Sequence, residues 1–125
     1  MSTGARTSSA WRFALAHQGP VALLLPRRAV PVLDGTVAAD VAKGGYVLAD
    51  CEGTPDVILI ATGSEVHLAV EAKAILAGRG VKARVVSLPS TGLFDAQPPA
   101  YREAVLPPSV RARVAVEAGA TVGWW

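Results

Sequence analysis

The segment from residue 56 to residue 88 constrains the fold most, because it holds a strand, a helix and a second strand in succession. Val57–Ala61 is a continuous apolar run, which is typical of a strand covered on both faces of a parallel sheet. A helical pattern follows over about 64–77, and Val81–Leu88 is a second strand that Pro89 ends. The pattern predicts an α/β fold in which this unit has parallel strands and a right-handed crossover.

Both ends of this helix have sequence signals. Thr62 and Glu65 have the spacing of a capping box, in which a hydroxyl and a carboxylate satisfy free N–H groups of the first turn. Gly78 is predicted to be the residue just past the helix, and Gly80 to open the return turn.

Apolar residues lie on two sides of the helix. One face is formed by Val66, Ala69, Val70, Ala74 and Ala77. Leu68 and Ile75 lie roughly opposite, so we expect a further layer or a second subunit to cover the outer side.

The residues before this unit predict shorter elements. Ser9–His17 is a short helix, Gly19-Pro20 breaks it, and Val21–Leu25 is a buried strand. Ala29–Gly45 is a connecting segment with a helical turn near Val37–Ala42.

Three further elements complete the pattern. Tyr46–Leu48 is strand-like, and a turn at Cys51–Pro55 separates it from the strand at 57–61. The two strands form either a hairpin or a parallel pair. Thr91–Leu106 is a loop followed by a short helix, and Ala112–Glu117 is another strand.

Composition excludes several classes of protein. The 125 residues fit one ordinary domain, and no apolar run approaches the roughly 20 residues that span a bilayer. The net charge is +2, and nine Arg and three Lys are scattered, which argues against nucleic-acid binding. The single Cys51 excludes an internal disulfide and a thiolate metal site, and fits a reducing compartment. The first 33 residues lack acidic residues, as transit peptides do, but their helix–turn–strand order favours a piece of a larger domain.

Tests for catalytic motifs give little. The glycine fingerprints for dinucleotides and phosphates are absent, and Ser64 does not lie in a nucleophile elbow. His17 and His67 have no ligand partners at metal-site spacing. Glu117 ends a strand in an apolar setting. It is interpreted either as an acid or base with a shifted pKa or as a structural carboxylate, and the structural interpretation is favoured.

Arg27 is the main candidate site residue. It follows the predicted strand at 21–25, at the carboxyl edge where parallel sheets bind ligands. A guanidinium there can hold a phosphate through paired N–H donors, and a surface arginine on an edge loop is an equally open interpretation.

Six stretches resemble transketolase in order and spacing. They are Gly44–Leu48, Ile60–Val66, Gly80–Ser87, Pro89–Thr91 with Phe94-Asp95, Tyr101–Glu103, and Ala112–Gly119. Upstream, Gly19-Pro20, Ala22-Leu23 and Arg27 are similar to the end of that family's pyrimidine-binding domain. The resemblance implies three parts: the tail of the pyrimidine-binding domain (1–34), a linker and strand (35–55), and a partial C-terminal domain (56–125). The implied fold is a three-layer α/β structure with a mostly parallel, incomplete sheet.

The resemblance also implies a function. Transketolases transfer a two-carbon ketol unit between sugar phosphates in the pentose phosphate pathway, as cytoplasmic homodimers with thiamine diphosphate and a divalent metal, Mg or Ca. We expect no catalytic, cofactor-binding or metal-ligating residue in this chain, and no activity from the chain alone. Arg27 is implied to bind the substrate's phosphate, although Pro26 replaces the family's usual serine before it. We also expect a marginally stable, aggregating or oligomeric chain, because strands without sheet neighbours leave open edges.

A different class of function remains open at this point. The chain is alternatively a stand-alone, flavodoxin-like module that binds a small anion at the helix start near Gly63, or a protein partner through the two-sided helix. Coding sequence on either side of the reading frame separates the two interpretations.

Overall fold

A four-stranded sheet with helices organises the chain in the computed structural model, which describes residues 3–27, 29, 33, 38–120 and 122–124. The elements follow in the order α1 (Thr3–Ala16), α2 (Ala38–Val41), β1 (Tyr46–Ala49), β2 (Val57–Ala61), α3 (Val66–Gly78), β3 (Ala83–Ser87), α4 (Thr91–Asp95), α5 (Pro99–Val105) and β4 (Arg113–Val116). A single 3-10 turn, Gly63–Glu65, leads into α3.

The strand order is β1-β3-β2-β4. β2 is parallel to both β3 and β4, which confirms the parallel strand–helix–strand unit. β1 does not pair with β2 in either of the predicted ways. It runs antiparallel to β3 instead, with Tyr46 opposite Ser87. The chain after β1 skips one position in the sheet before it forms β2, and β3 later fills the position between them.

Each face of the sheet has its own apolar cluster, which confirms the three-layer architecture. Alternate residues of a strand point to opposite faces. Leu59, Ala61 and Val85 therefore pack on α3, through Val66 and Ala69. The opposite face packs on α4, α5 and the segment after α5 through Ile58, Ile60, Val86, Leu88, Phe94, Val105 and Val110.

Helix α3 ends in a Schellman motif, and this corrects the predicted position of the cap. The N–H of Val81 donates to the carbonyl of Leu76, and the N–H of Gly80 to that of Ala77, both at 3.0 Å. The left-handed position is therefore Gly80, with φ of +77°, whereas Gly78 is the last helical residue. Leu68 and Ile75 on the outer side are 46% and 61% exposed, and no described residue covers them.

The predicted strand at Val21–Leu25 is wrong. The segment belongs to no helix or strand, and Leu24 and Leu25 are exposed rather than buried. A strand forms only when a neighbouring strand completes its hydrogen bonds, and the described residues offer none here. The helix before it is confirmed as α1, which begins earlier than predicted, and the helical turn is confirmed as α2.

The loop predicted after Thr91 contains a helix of its own, α4. Ser90 caps it, because its hydroxyl accepts a hydrogen bond from the N–H of Leu93 at 3.3 Å. Helix α5 follows and is held to the start of β1 by Tyr101, whose hydroxyl donates to the carbonyl of Gly45 at 2.7 Å. Burial, with the nearby Asp40 carboxylate, raises the pKa of Tyr101, so this phenol remains a hydrogen-bond donor across the neutral range.

Arg84 links β3 to the residue after β1 and to the end of α5 through hydrogen bonds. From β3 its guanidinium donates to both carboxylate oxygens of Asp50, at 2.8 and 3.0 Å, just after β1. It also donates to the carbonyls of Ala104 and Val105 at the end of α5, at 2.9 and 3.2 Å. A paired fork of this kind is among the stronger polar contacts in proteins. Arg84 thus fixes the edge of the sheet and the end of α5 to each other.

Asp50 makes the stability of the fold depend on pH. Partial burial acts to raise the pKa of Asp50, but hydrogen bonds from Arg84 and from the N–H of Cys51, with the charges of Arg84 and Lys73, outweigh it and hold the pKa below its usual value. The folded-state pKa is depressed, so the contribution is complete above the unfolded-state pKa near 3.8 and is lost as the pH falls through the folded-state value. We expect Asp50→Asn to flatten the fall of the unfolding midpoint in urea below about pH 4.5, relative to the unchanged chain.

The exposed Glu52 in the adjacent turn provides the control for this titration. Glu52→Gln removes a carboxylate that makes no hydrogen bond or ion pair with the described residues, and it should leave the pH profile as it is. An Asp50→Asn profile that follows the unchanged chain down to pH 3 contradicts the assignment.

Among the described residues, no helix is both long and apolar enough to cross a membrane. Several large apolar side chains are nevertheless exposed: Trp11, Leu15, Val21, Leu24, Leu25, Leu68, Ile75, Val114 and Val122.

Candidate functional site

The carboxyl ends of the three parallel strands open onto one cleft of about 540 Å³. We call it the carboxyl-edge cleft. It is lined by Thr62–Glu65 after β2, by Ser87 and Pro89 at the end of β3, and by Glu117 after β4. Ligands of open α/β sheets bind at this edge. The opposite wall is the irregular 22–26 segment, with Val41, Thr7 and Ala10 beside it.

The exit from β2 does not form the predicted capping box. Thr62 precedes the 3-10 turn in an extended conformation and makes no side-chain cap hydrogen bond. The Glu65 carboxylate turns instead to its neighbour, and its Oε1 accepts from Ser64 Oγ at 2.7 Å. The prediction fails because a hydroxyl one residue away competes for the carboxylate that a capping box would use. Gly63 allows the turn, with φ of +57°.

Glu117 contributes a second carboxylate to the cleft. It is half-buried, and its Oε1 accepts from the N–H of Gly119 at 2.9 Å, which closes a tight turn after β4. This contact favours the structural interpretation of Glu117 over that of a tuned acid or base. With Glu65 it makes the cleft negative, since no described Lys, Arg or His lines it. A small anion is therefore a poor ligand for the helix start near Gly63.

Arg27 lies beside the cleft and outside its lining. The preceding residues, Leu23 to Pro26, line the cleft, and the chain then bends at Arg27, which is exposed. Its guanidinium makes no hydrogen bond or ion pair with the described residues. Arg27 thus follows a segment without regular secondary structure rather than the strand expected before it. Its role in phosphate binding stays a prediction.

The remaining candidate residues lie apart from one another. His17 stacks on Phe13 with ring centroids 5.3 Å apart. His67 is half-buried in the first turn of α3, and its Nδ1 is buried with no described partner. Cys51 is a half-buried thiol near the carbonyl of Gly53. Within the described part of the chain, no three His, Cys, Asp or Glu residues come together in a group that could hold a metal.

Comparison with known proteins decides the family. The family model for the transketolase-like C-terminal domain matches residues 44–125. The chain belongs to the transketolase family. This membership confirms the resemblance of the six sequence stretches, and the stand-alone module is not favoured.

Individual transketolases are similar along nearly the whole chain. Transketolase of Mycobacterium tuberculosis is 59% identical, and transketolase 1 of Escherichia coli is 55% identical, over 94% and 93% of this chain. Transketolase of Leishmania mexicana has a TM-score of 0.90 at 41% identity over 96% of the chain. A Pichia stipitis transketolase in complex with sedoheptulose-7-phosphate has a TM-score of 0.89 at 43% identity over 97%.

The chain spans only 18% of the length of each of these relatives. It therefore corresponds to part of a transketolase subunit. The division at residues 34 and 55 stays a prediction.

Sequence reasoning missed Ser87 as a cleft residue. Its one signal is that it ends β3, at the same edge of the sheet as Glu117. A serine at a strand end is common, and only the three-dimensional arrangement identifies it as the 2% exposed floor of a cleft.

Proposed function

We propose that this chain supplies part of a transketolase that transfers a two-carbon ketol unit from a ketose phosphate to an aldose phosphate. The observation that carries the proposal is the 59% identity to a transketolase along 94% of the chain. The same proposal includes the wider setting of that enzyme: a cytoplasmic homodimer in the pentose phosphate pathway. The Pichia stipitis relative in complex with sedoheptulose-7-phosphate supports sugar phosphates as the substrate class.

The described residues do not fit the cofactor that the family implies. Thiamine diphosphate is bound through a divalent metal, and the described residues contain no carboxylate or histidine group that could ligate one. In our proposal the thiamine diphosphate and its Mg or Ca are held by other parts of the transketolase polypeptide. No catalytic step is assigned to residues of this chain.

In this proposal, the residue of this chain that binds substrate is Arg27, which we call the phosphate anchor because it holds the phosphate group of the sugar. Arg27 is exposed, carries no described partner, and lies next to the carboxyl-edge cleft. A guanidinium whose donors are used by no described residue can bind two phosphate oxygens at once. Holding the remote end of a sugar phosphate positions its reacting end, so this contact contributes binding energy to catalysis.

A chimeric enzyme tests the proposal. This chain replaces the matching segment of the Mycobacterium tuberculosis transketolase. Ketol transfer is then measured with a ketose phosphate and with the same ketose lacking phosphate. We expect Arg27→Ala to lower kcat/KM about tenfold for the phosphorylated substrate, because one charge-assisted contact is lost. The kcat/KM for the ketose without phosphate should not change.

Two controls complete the experiment. Arg12→Ala removes an exposed arginine from α1 and should change neither rate. The 125-residue chain alone should show no ketol transfer. An equal loss for both substrates in Arg27→Ala assigns Arg27 a structural role, and a chimera with no activity at all argues against the transketolase proposal itself.

A further inference from the structure

Ser87 presents a hydroxyl to the carboxyl-edge cleft. Ser87 is only 2% exposed, it lines the cleft, and its side chain makes no hydrogen bond with the described residues. Tyr46 pairs with Ser87 across β1 and β3, so both side chains leave the sheet on the same face. Tyr46 is also 2% exposed, and its hydroxyl has no described partner. Tyr46 does not line the cleft, so of these two hydroxyls only that of Ser87 is available to a ligand there.

The rim of the cleft offers acceptors and negative charge. Glu65 accepts from Ser64, and Glu117 from the N–H of Gly119, each through Oε1. The second oxygen of each carboxylate has no hydrogen bond from the described residues. An ionised carboxylate only accepts, so a ligand between these groups must bring donors.

The opposite wall is apolar. It is built from five consecutive residues of the irregular segment: Ala22, Leu23, Leu24, Leu25 and Pro26. Leu24 and Leu25 remain well exposed, so an apolar ligand group can still cover surface there. The volume of about 540 Å³ lies within the range of small-molecule sites.

We propose that the carboxyl-edge cleft binds a small organic ammonium compound. The three N–H donors of an ammonium match three acceptors: the carboxylates of Glu65 and Glu117 and the hydroxyl of Ser87. The short aliphatic part of the compound lies against residues 22–26. The site is distinct from the phosphate anchor at Arg27, and it does not depend on the proposed ketol transfer.

Titration of the 125-residue chain with n-butylammonium chloride tests this proposal. Backbone amide signals of Ser64, Ser87 and Glu117 are followed by ¹H–¹⁵N NMR at constant ionic strength. We expect saturable shifts with a millimolar Kd. Sodium valerate and n-butanol, which carry the same butyl group, should produce no saturable shift at the same concentrations.

Variants identify the groups responsible. The double variant Glu65→Gln/Glu117→Gln should weaken binding at least tenfold, because it removes both charges with little change in shape. Ser87→Ala should weaken it by a smaller factor, and Glu103→Gln on the exposed side of α5 should not change it. If the double variant loses its dispersed spectrum, the two single variants replace it. The proposal is overturned by absence of saturation, by equal binding of n-butanol, or by glutamine variants that bind as tightly as the unchanged chain.

Discussion

Replacing Gly44 with alanine is expected to lower the free energy of unfolding by about 3 kcal/mol. Gly44 has φ of +80°, a conformation that L side chains rarely adopt. A Cβ there would also lie 2.5 Å from the backbone N of Phe94 and 2.6 Å from Cβ of Leu93, with the carbonyl oxygen of Ser90 closer still. Two of these atoms are backbone, so rotating a side chain cannot relieve the clash.

Gly78→Ala is the matched control for this substitution. Gly78 lies in α3, and a Cβ added there would meet nothing within 4 Å, so alanine should stabilise the helix by up to about 1 kcal/mol. Urea unfolding followed by circular dichroism measures both variants against the unchanged chain. If Gly44→Ala unfolds within about 0.5 kcal/mol of the unchanged chain, the close approach of α4 to the start of β1 is wrong.

The second large effect is expected at Arg84. Arg84→Ala removes four hydrogen bonds that join Asp50 after β1 to the last carbonyls of α5. Since the Asp50 side chain is 47% exposed, water replaces part of what is lost. We therefore expect a loss of about 2 kcal/mol, or roughly 8 °C in the unfolding temperature.

Two further substitutions separate geometry from charge. Arg84→Lys keeps the charge but lacks the planar fork, so it should recover less than half of the loss. Arg79→Ala removes an exposed arginine after α3 whose side chain makes no hydrogen bond or ion pair with the described residues, and should cost nothing measurable. An Arg84→Lys variant as stable as the unchanged chain would contradict the importance of the bidentate contact.

Local sequence patterns predicted the strands and helix at the centre of the fold. They failed where the structure of a segment depends on pairing with residues far away in the sequence. The apolar run at 57–61 and the helical spacing after it specify β2, α3 and β3 without knowledge of the rest of the chain. Val21–Leu25 is equally apolar, but an apolar run does not show whether a second strand exists to pair with it. The partner of β1 was missed for the same reason, because Tyr46 and Ser87 are far apart in sequence.

The hydrogen bonds within the cleft were harder to predict from the sequence than the position of the cleft in the fold. The carboxyl edge of the parallel strands follows from the strand–helix–strand pattern alone, and Thr62 and Glu117 line the cleft there. Whether Glu65 would cap α3 or accept from Ser64 depends on rotamers, which residue type does not fix. Gly78 and Gly80 both suit a helix end, and the register of the final hydrogen bonds selects the second.

The pairing of β1 with β3 has a consequence for synthesis on the ribosome. Ser87 emerges long after Tyr46, its partner across the sheet. Until then β1 has no neighbour, and β2 gains its first partner at the same moment, because β3 pairs with both strands. The apolar residues of β1 and β2 therefore stay unpaired together until synthesis reaches the end of β3.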